Sequence, residues 1–227
     1  MGKRTIEIEI TGISRDGKRK KKQELVYEEE TIVKVNGEIH KFLCIPVDLE
    51  EMIAGNLKCR GIDPSLSRIK KVRKGEFEVN VPEELVKTPR KCNSRKKSTK
   101  NEVFNLVRAL NENSLLYDKT GCAHVIGICG DKEIFVEDVS RHCAIDKVIG
   151  LAIKAGISFR NSCLITSCRQ TALTIRKAVF CQIPIVISIT APTDLAVKEA
   201  IKYGITLIGF ASSKGFNVYS HDWRIET

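Results

Sequence analysis

Apolar and polar residues alternate at the start of the chain. Ile6, Ile8 and Ile10 are separated by charged or polar residues across Thr5–Thr11, the pattern of a half-buried strand. Gly17–Lys22 reads as a basic turn, and Leu25–Tyr27 begins a return strand. Two further runs, Thr31–Val35 and Glu38–Ile45, flank Asn36-Gly37, a pair that tolerates the positive φ angles of a tight hairpin turn. Asp48 then stands as a helix cap with Glu51 at capping-box spacing. Leu49, Met52, Ile53 and Leu57 share one face of that helix, which Gly61 and Pro64 end. Ile69–Val72 and Phe77–Val81 predict another antiparallel pair.

The periodicity changes after Lys100. Asn101–Leu116 carries Val103, Phe104, Val107 and Leu110 at helical spacing. Ala123–Cys129 and Glu133–Val136 read as a hairpin about Gly130-Asp131. Helices over Cys143–Ala155, Thr171–Cys181 and Asp194–Tyr203 then alternate with strands over Cys163–Thr166, Ile185–Ile189 and Thr206–Gly209, and Phe216–Tyr219 closes the series. Short apolar strands between helices predict a parallel sheet covered on both faces. The fold class is α/β. A β-rich N-terminal subdomain occupies 1–87, a basic mobile loop 88–100, and an α/β/α subdomain 101–227.

Composition narrows the class. The 227 residues are 42% hydrophobic, enough for a substantial core. No run approaches the ~20 apolar residues of a membrane span. The opening MGKRTIEIEI lacks an apolar signal core, so a cytoplasmic location without membrane association is expected. Nine cysteines without C-x-x-C spacing argue against structural zinc and against a disulfide framework. Most of these thiols lie in apolar runs and read as small core hydrophobes. The net charge is +10. Residues 1–100 hold 24 Lys/Arg against 16 Asp/Glu, and the stretch Lys87–Lys100 contains seven cations and no acid. Such a concentration suits an anionic partner or a solvated loop. The stretch contains no aromatic residue on which a base could stack, so nucleic acid is not the expected ligand.

Ligands of open α/β sheets bind beyond the carboxyl ends of the strands. The loops there are rich in hydroxyls and cations: Glu137–His142, Thr166–Arg169, Thr190–Thr193 and Phe210–Gly215. Taken singly, Ser167 and Thr193 read as helix caps. Taken together, the loops predict an anion site. Arg141 can serve phosphate bidentately or pair internally with Asp138 or Asp146, and both readings stand at this level.

Glu137-Asp138-Val139-x-Arg141-His142-x-Ala144-x-Asp146-Lys147 resembles the EDVGRHNALDK signature of the formate dehydrogenase accessory proteins, FdhD. Thr120-Gly121-x-x-His124, Thr166-Ser167-x-Arg169, Ala191-Pro192-Thr193, Val35-Asn36-Gly37 and Pro46-x-Asp48-Leu49-Glu50 resemble further segments of that family in the same order. The resemblance implies a C-terminal fold like that of cytidine deaminases and a homodimer. It implies a sulfur carrier that accepts a persulfide from a cysteine desulfurase. The sulfur would pass to the molybdenum or tungsten bis-pyranopterin guanine dinucleotide cofactor of formate dehydrogenase, for which a guanine nucleotide can stand in. It assigns Cys92 to sulfur transfer. It assigns Phe210, Ala211, Ser212, Ser213, Lys214 and Gly215 to the cofactor, and Arg141, His142, Ser167 and Arg169, at neighbouring strand ends, are candidate contacts to the same ligand.

The chain departs from the family at several of these places. Arg95 stands where a second cysteine would complete C-x-x-C, Ser140 and Cys143 replace Gly and Asn of the signature, and Cys168 replaces a turn glycine. A single thiolate on an exposed segment still suffices to accept and pass sulfur, and Arg90, Lys91, Arg95, Lys96 and Lys97 favour that thiolate. Zinc-dependent deamination needs H-x-E or C-x-E with P-C-x-x-C, and neither string is present. The alternative is a cofactor- or guanine-nucleotide-binding chaperone that has lost sulfur transfer.

Overall fold

A computed structural model describes residues 3–82 and 87–226. Strands β1 (Thr5–Ser14) and β2 (Gly17–Val26) pair antiparallel about Arg15-Asp16. Gly17–Lys22 is therefore strand and not turn. Cross-strand pairs Glu7–Lys22 and Glu9–Lys20, each 2.9 Å, accommodate its lysines.

Strands β3 (Glu29–Val35) and β4 (Glu38–Cys44) form the expected hairpin, with Asn36 and Gly37 both at positive φ. Strands β5 (Arg68–Arg73) and β6 (Glu76–Asn80) complete a four-stranded sheet in the order β4-β3-β6-β5. Helix α1 (Leu49–Cys59) buries Met52, Ile53 and Leu57, the predicted face. Asp48 is left-handed at φ 52° and makes no side-chain cap, so the predicted capping box does not form. Glu51 instead binds Lys154 at 2.7 Å.

The expected long helix after Lys100 divides into α2 (Lys100–Glu112) and α3 (Leu115–Thr120), broken at Asn113-Ser114. Then follow β8 (His124–Cys129), β9 (Glu133–Asp138), α4 (Arg141–Lys154), β10 (Cys163–Thr166), α5 (Ala172–Cys181), β11 (Ile185–Ser188), α6 (Asp194–Tyr203), β12 (Thr206–Gly209) and β13 (Asn217–Ser220). Two short strands, β7 (Ser98–Thr99) and β14 (Ile225–Glu226), pair with each other in parallel.

The large sheet has the order β13-β12-β11-β10-β8-β9. Only β10, β11 and β12 run parallel, and antiparallel strands flank them on both sides, so the sheet is mixed. Leu164, Val186 and Leu207 face α4, α5 and α6, whereas Ile165, Ile187 and Ile208 face α2. The two parts of the chain are joined without a gap where α1 crosses α4. A Cβ on Gly55 would stand 1.8 Å from the Asp146 carbonyl oxygen, and one on Gly150 would stand 1.8 Å from that of Glu51. Glycine at both positions lets the backbones touch.

Candidate functional site

At the carboxyl edge of the parallel strands the turns are tied into a rigid frame. The Cys168 carbonyl accepts hydrogen bonds from Thr166 Oγ1 (3.0 Å), Gln170 Nε2 (2.8 Å) and Ser188 Oγ (2.9 Å). Ser167 Oγ accepts from the Val125 amide at 2.9 Å and so locks this turn to β8. Ser167 thus acts in the framework, although it also lines the adjoining cavity. Phe210 is left-handed at φ 51°, and its amide donates to the Thr190 carbonyl at 3.1 Å. The turn closes as the Ser212 amide and hydroxyl both donate to the Gly215 carbonyl, at 2.9 and 3.1 Å. Ala211 is buried beneath it, while Ser212, Ser213 and Lys214 are exposed.

The cations converge in part. Arg141 and His142 occupy the first turn of α4, with Arg141 Nε 3.5 Å from His142 Nε2. Burial, then the charge of Arg141, and more weakly that of Arg169, hold His124 below its ordinary range, so these three side chains share one region. His142 is likewise lowered, first by burial and then by Lys177 and Arg141. The structure resolves the alternatives for Arg141. Asp138 is bound by Lys147 at 2.6 Å and Asp146 by Lys177 at 2.6 Å. Asp138 also accepts from the amides of Ile45 (3.2 Å) and Ser140 (2.8 Å). Both carboxylates are spent, and no ion pair joins Arg141 or Arg169 to a carboxylate among the described residues.

Beside these cations lies a cavity of about 670 Å³, within the range of small-molecule sites. Its walls include Asn111, Tyr117, Cys122, His124, Ser167 and Thr190. Cys122 is the exposed cysteine, the other eight being buried. Its place at the cavity was missed in the sequence because the thiol stands at one of the two residues skipped between Thr120-Gly121 and His124. Among the described residues Lys214 Nζ makes no hydrogen bond or ion pair, and its turn is tied instead to Thr190 through the Phe210 amide.

Cys92 lies elsewhere. Its amide donates to the Tyr203 carbonyl at 2.8 Å, and its Sγ lies 3.7 Å from the Gln182 carbonyl oxygen. Both partners precede strands, so Cys92 sits at the amino edge of the sheet. Four residues of β10, about 13 Å of strand, separate it from the turns of Ser167 and Arg169. The expected exposed loop is corrected here. Cys92 is 3% exposed, and Ser94 and Ser98 are buried with it, while Lys91, Asn93, Arg95 and Lys97 point outward. Burial alternates along the segment, with the small side chains of Cys92, Ser94 and Ser98 turned inward and Lys96 half-buried between them. Ser94 Oγ donates to the Arg160 carbonyl at 2.6 Å. Nearby, Lys58, Lys87, Arg90 and Arg160 line a cationic pocket of about 260 Å³.

The sequence profile described as the FdhD/NarQ family matches residues 74–226. The chain belongs to the FdhD/NarQ family. It is 28% identical to the sulfur carrier protein FdhD of Methanothermobacter thermautotrophicus, over 92% of this chain and 94% of that one. It is 30% identical to the sulfur carrier protein FdhD of Staphylococcus aureus, over 85% of this chain and 86% of that one. A solved structure assigned as a formate dehydrogenase accessory protein from Desulfotalea psychrophila superposes with a TM-score of 0.84 at 27% identity, covering 98% of this chain and 99% of that one. Within this FdhD/NarQ fold the two substituted signature positions are absorbed locally. Ser140 caps α4 by accepting from the Cys143 amide at 3.4 Å, and Cys143 is buried against Cys44 and Met52. No helix of the described residues is long and apolar enough to cross a membrane.

Proposed function

We propose that this chain is a sulfur carrier working as a homodimer. It takes sulfur from the persulfide of a cysteine desulfurase and delivers it to the molybdenum or tungsten bis-pyranopterin guanine dinucleotide cofactor destined for formate dehydrogenase. The names of its relatives support the carrier role. The observation that carries the reading is the unspent charge of Arg141 and Arg169 at the carboxyl edge, since two guanidinium groups without carboxylate partners suit the phosphates of such a substrate.

Cys92, as thiolate, attacks the outer sulfur of the donor persulfide. A new S–S bond forms at Cys92, the donor's S–S bond breaks, and the donor cysteine leaves as a thiolate, with no net oxidation. Access requires the segment to lift. Residues 87–99 contain no large apolar side chain and are held by a handful of polar contacts, each worth about 1 kcal/mol, so local opening costs a few kcal/mol. Five residues beyond Lys87 give the released thiol a reach of about 17 Å, longer than the sheet is tall.

The second reading, a cofactor-binding chaperone without sulfur transfer, is favoured by the burial of Cys92 and by Arg95 in place of a second cysteine. Incubation with a cysteine desulfurase and free cysteine separates the two. A carrier gains the mass of one sulfur atom on Cys92, and a chaperone gains none there while still binding GDP.

A further inference from the structure

The β1–β2 ribbon is amphipathic in the reverse of the usual sense. Successive side chains alternate between its two faces, and directly opposed residues share a face. One face carries Glu7 and Glu9 with their partners Lys22 and Lys20. This charged face is the one turned toward the rest of the molecule: on it, Glu24 binds Lys119 of α3 at 2.6 Å and Val26 packs against Ile45 and Leu116. The face turned away carries Ile6, Ile8, Ile10 and Leu25. Ile6, Ile8 and Leu25 are 36%, 38% and 36% exposed, and none of the twenty strand residues is buried.

The edges differ as well. Helix α3 lies against β2, so β1 is the outer strand, and among the described residues no strand pairs with its free side. That edge runs for ten residues without a proline, a bulge or a cation. Strand β2 bears Lys18, Arg19, Lys20, Lys21 and Lys22, the kind of guard that natural edge strands carry. A two-stranded ribbon is marginally stable on its own in water, and an open aliphatic edge is a template for another strand. The sequence of β1 indicates which strand fits. Thr5-Ile6-Glu7-Ile8-Glu9-Ile10-Thr11 reads the same from either end about Ile8. Paired antiparallel with a second copy of itself, it sets Ile8 opposite Ile8, Ile6 opposite Ile10 and Thr5 opposite Thr11. Glu7 then faces Glu9 of the second copy, and within each copy lysines already hold both carboxylates at 2.9 Å.

We propose that the free edge of β1 is a dimer contact, in which two copies pair antiparallel about Ile8 into a four-stranded sheet of order β2-β1-β1-β2. The contact is isologous, and its outer face joins the aliphatic strips of both copies. The proposal rests on the homodimer of the reading above and assigns its interface.

The test is the mass in solution, by sedimentation equilibrium, of the unmodified chain, Ile8→Lys and Ile39→Lys. Ile39 is an equally exposed aliphatic residue on β4, away from this edge. The expected result is two chains for the unmodified protein and for Ile39→Lys, and one chain for Ile8→Lys at the same concentration, because two ammonium groups would meet at the two-fold axis. Cross-linking reads the register without depending on that variant. In a Cys122→Ser background, where the remaining native cysteines are buried, Ile8→Cys is expected to give a disulfide-linked dimer on oxidation with copper phenanthroline, since residues directly opposite in a sheet lie within disulfide reach. Ile10→Cys is expected to give none, because its own copy lies four residues away along the strand. A dimer that persists in Ile8→Lys, or no cross-link at Ile8→Cys, overturns the interface and leaves the homodimer standing. A single chain for the unmodified protein overturns both.

Discussion

Lys147 Nζ lies 2.6 Å from Asp138 Oδ2, and both side chains are wholly enclosed. The same ammonium donates to the Ile45 carbonyl at 2.6 Å, so this pair joins the N-terminal β-rich part to α4. It also removes Asp138 from the reach of Arg141. Breaking the pair from one side strands a buried charge. Lys147→Met is expected to cost about 3–5 kcal/mol in urea unfolding, and adding Asp138→Leu should return part of that loss.

Arg141 and Arg169 are expected to carry GDP binding. Arg141→Gln and Arg169→Gln should each weaken it by about 1–3 kcal/mol in titration calorimetry, with affinity falling as salt rises. Lys214→Glu should cost less than either, because Lys214 is exposed and its field is screened by water. A dominant effect at Lys214 would place the anion over the Phe210–Gly215 turn instead.

The depressed histidines give a pH signature. Burial and the Arg141 charge lower His124, and burial, Lys177 and Arg141 lower His142. A lowered folded-state value means that the unfolded chain binds protons first as pH falls. Stability should therefore decline as pH drops below the ordinary histidine range near 6.5. Arg141→Gln removes a positive neighbour and should raise the His124 titration toward its ordinary value. A bound phosphate should act in the same direction. Proton NMR of the four imidazoles reads both effects.

The α1–α4 crossing tests how the two parts are joined. Gly55→Ala or Gly150→Ala drives a methyl group into a backbone carbonyl. Each should cost about 3 kcal/mol or more in thermal or chemical unfolding. A neutral effect would mean that the helices separate freely.

What the sequence made legible was local. Asn36-Gly37 announces its hairpin, and the apolar face of α1 is written in Met52, Ile53 and Leu57, because turn chemistry and helical period are short-range properties. The antiparallel pairing of β8 with β10 and the contact of Gly55 with α4 depend on residues far apart in the chain, which no local pattern encodes. The allotment of carboxylates is non-local in the same sense. Arg141 stands beside Asp138 and Asp146 in sequence, yet Lys147 and Lys177 take both. The Cys92 segment was misread for a different reason. Its seven cations suggest a free loop, but the small residues Cys92, Ser94 and Ser98 lie two and four positions apart, the mark of a strand-like run with one face turned inward.

The central claim is that Cys92 carries sulfur, and it is tested most directly by mass spectrometry after incubation with a cysteine desulfurase and cysteine. The account predicts one added sulfur atom, mapped to Cys92 in the unmodified chain and in Cys122→Ser, and lost in Cys92→Ala. An adduct that persists in Cys92→Ala, or one that maps to the exposed Cys122, would contradict it.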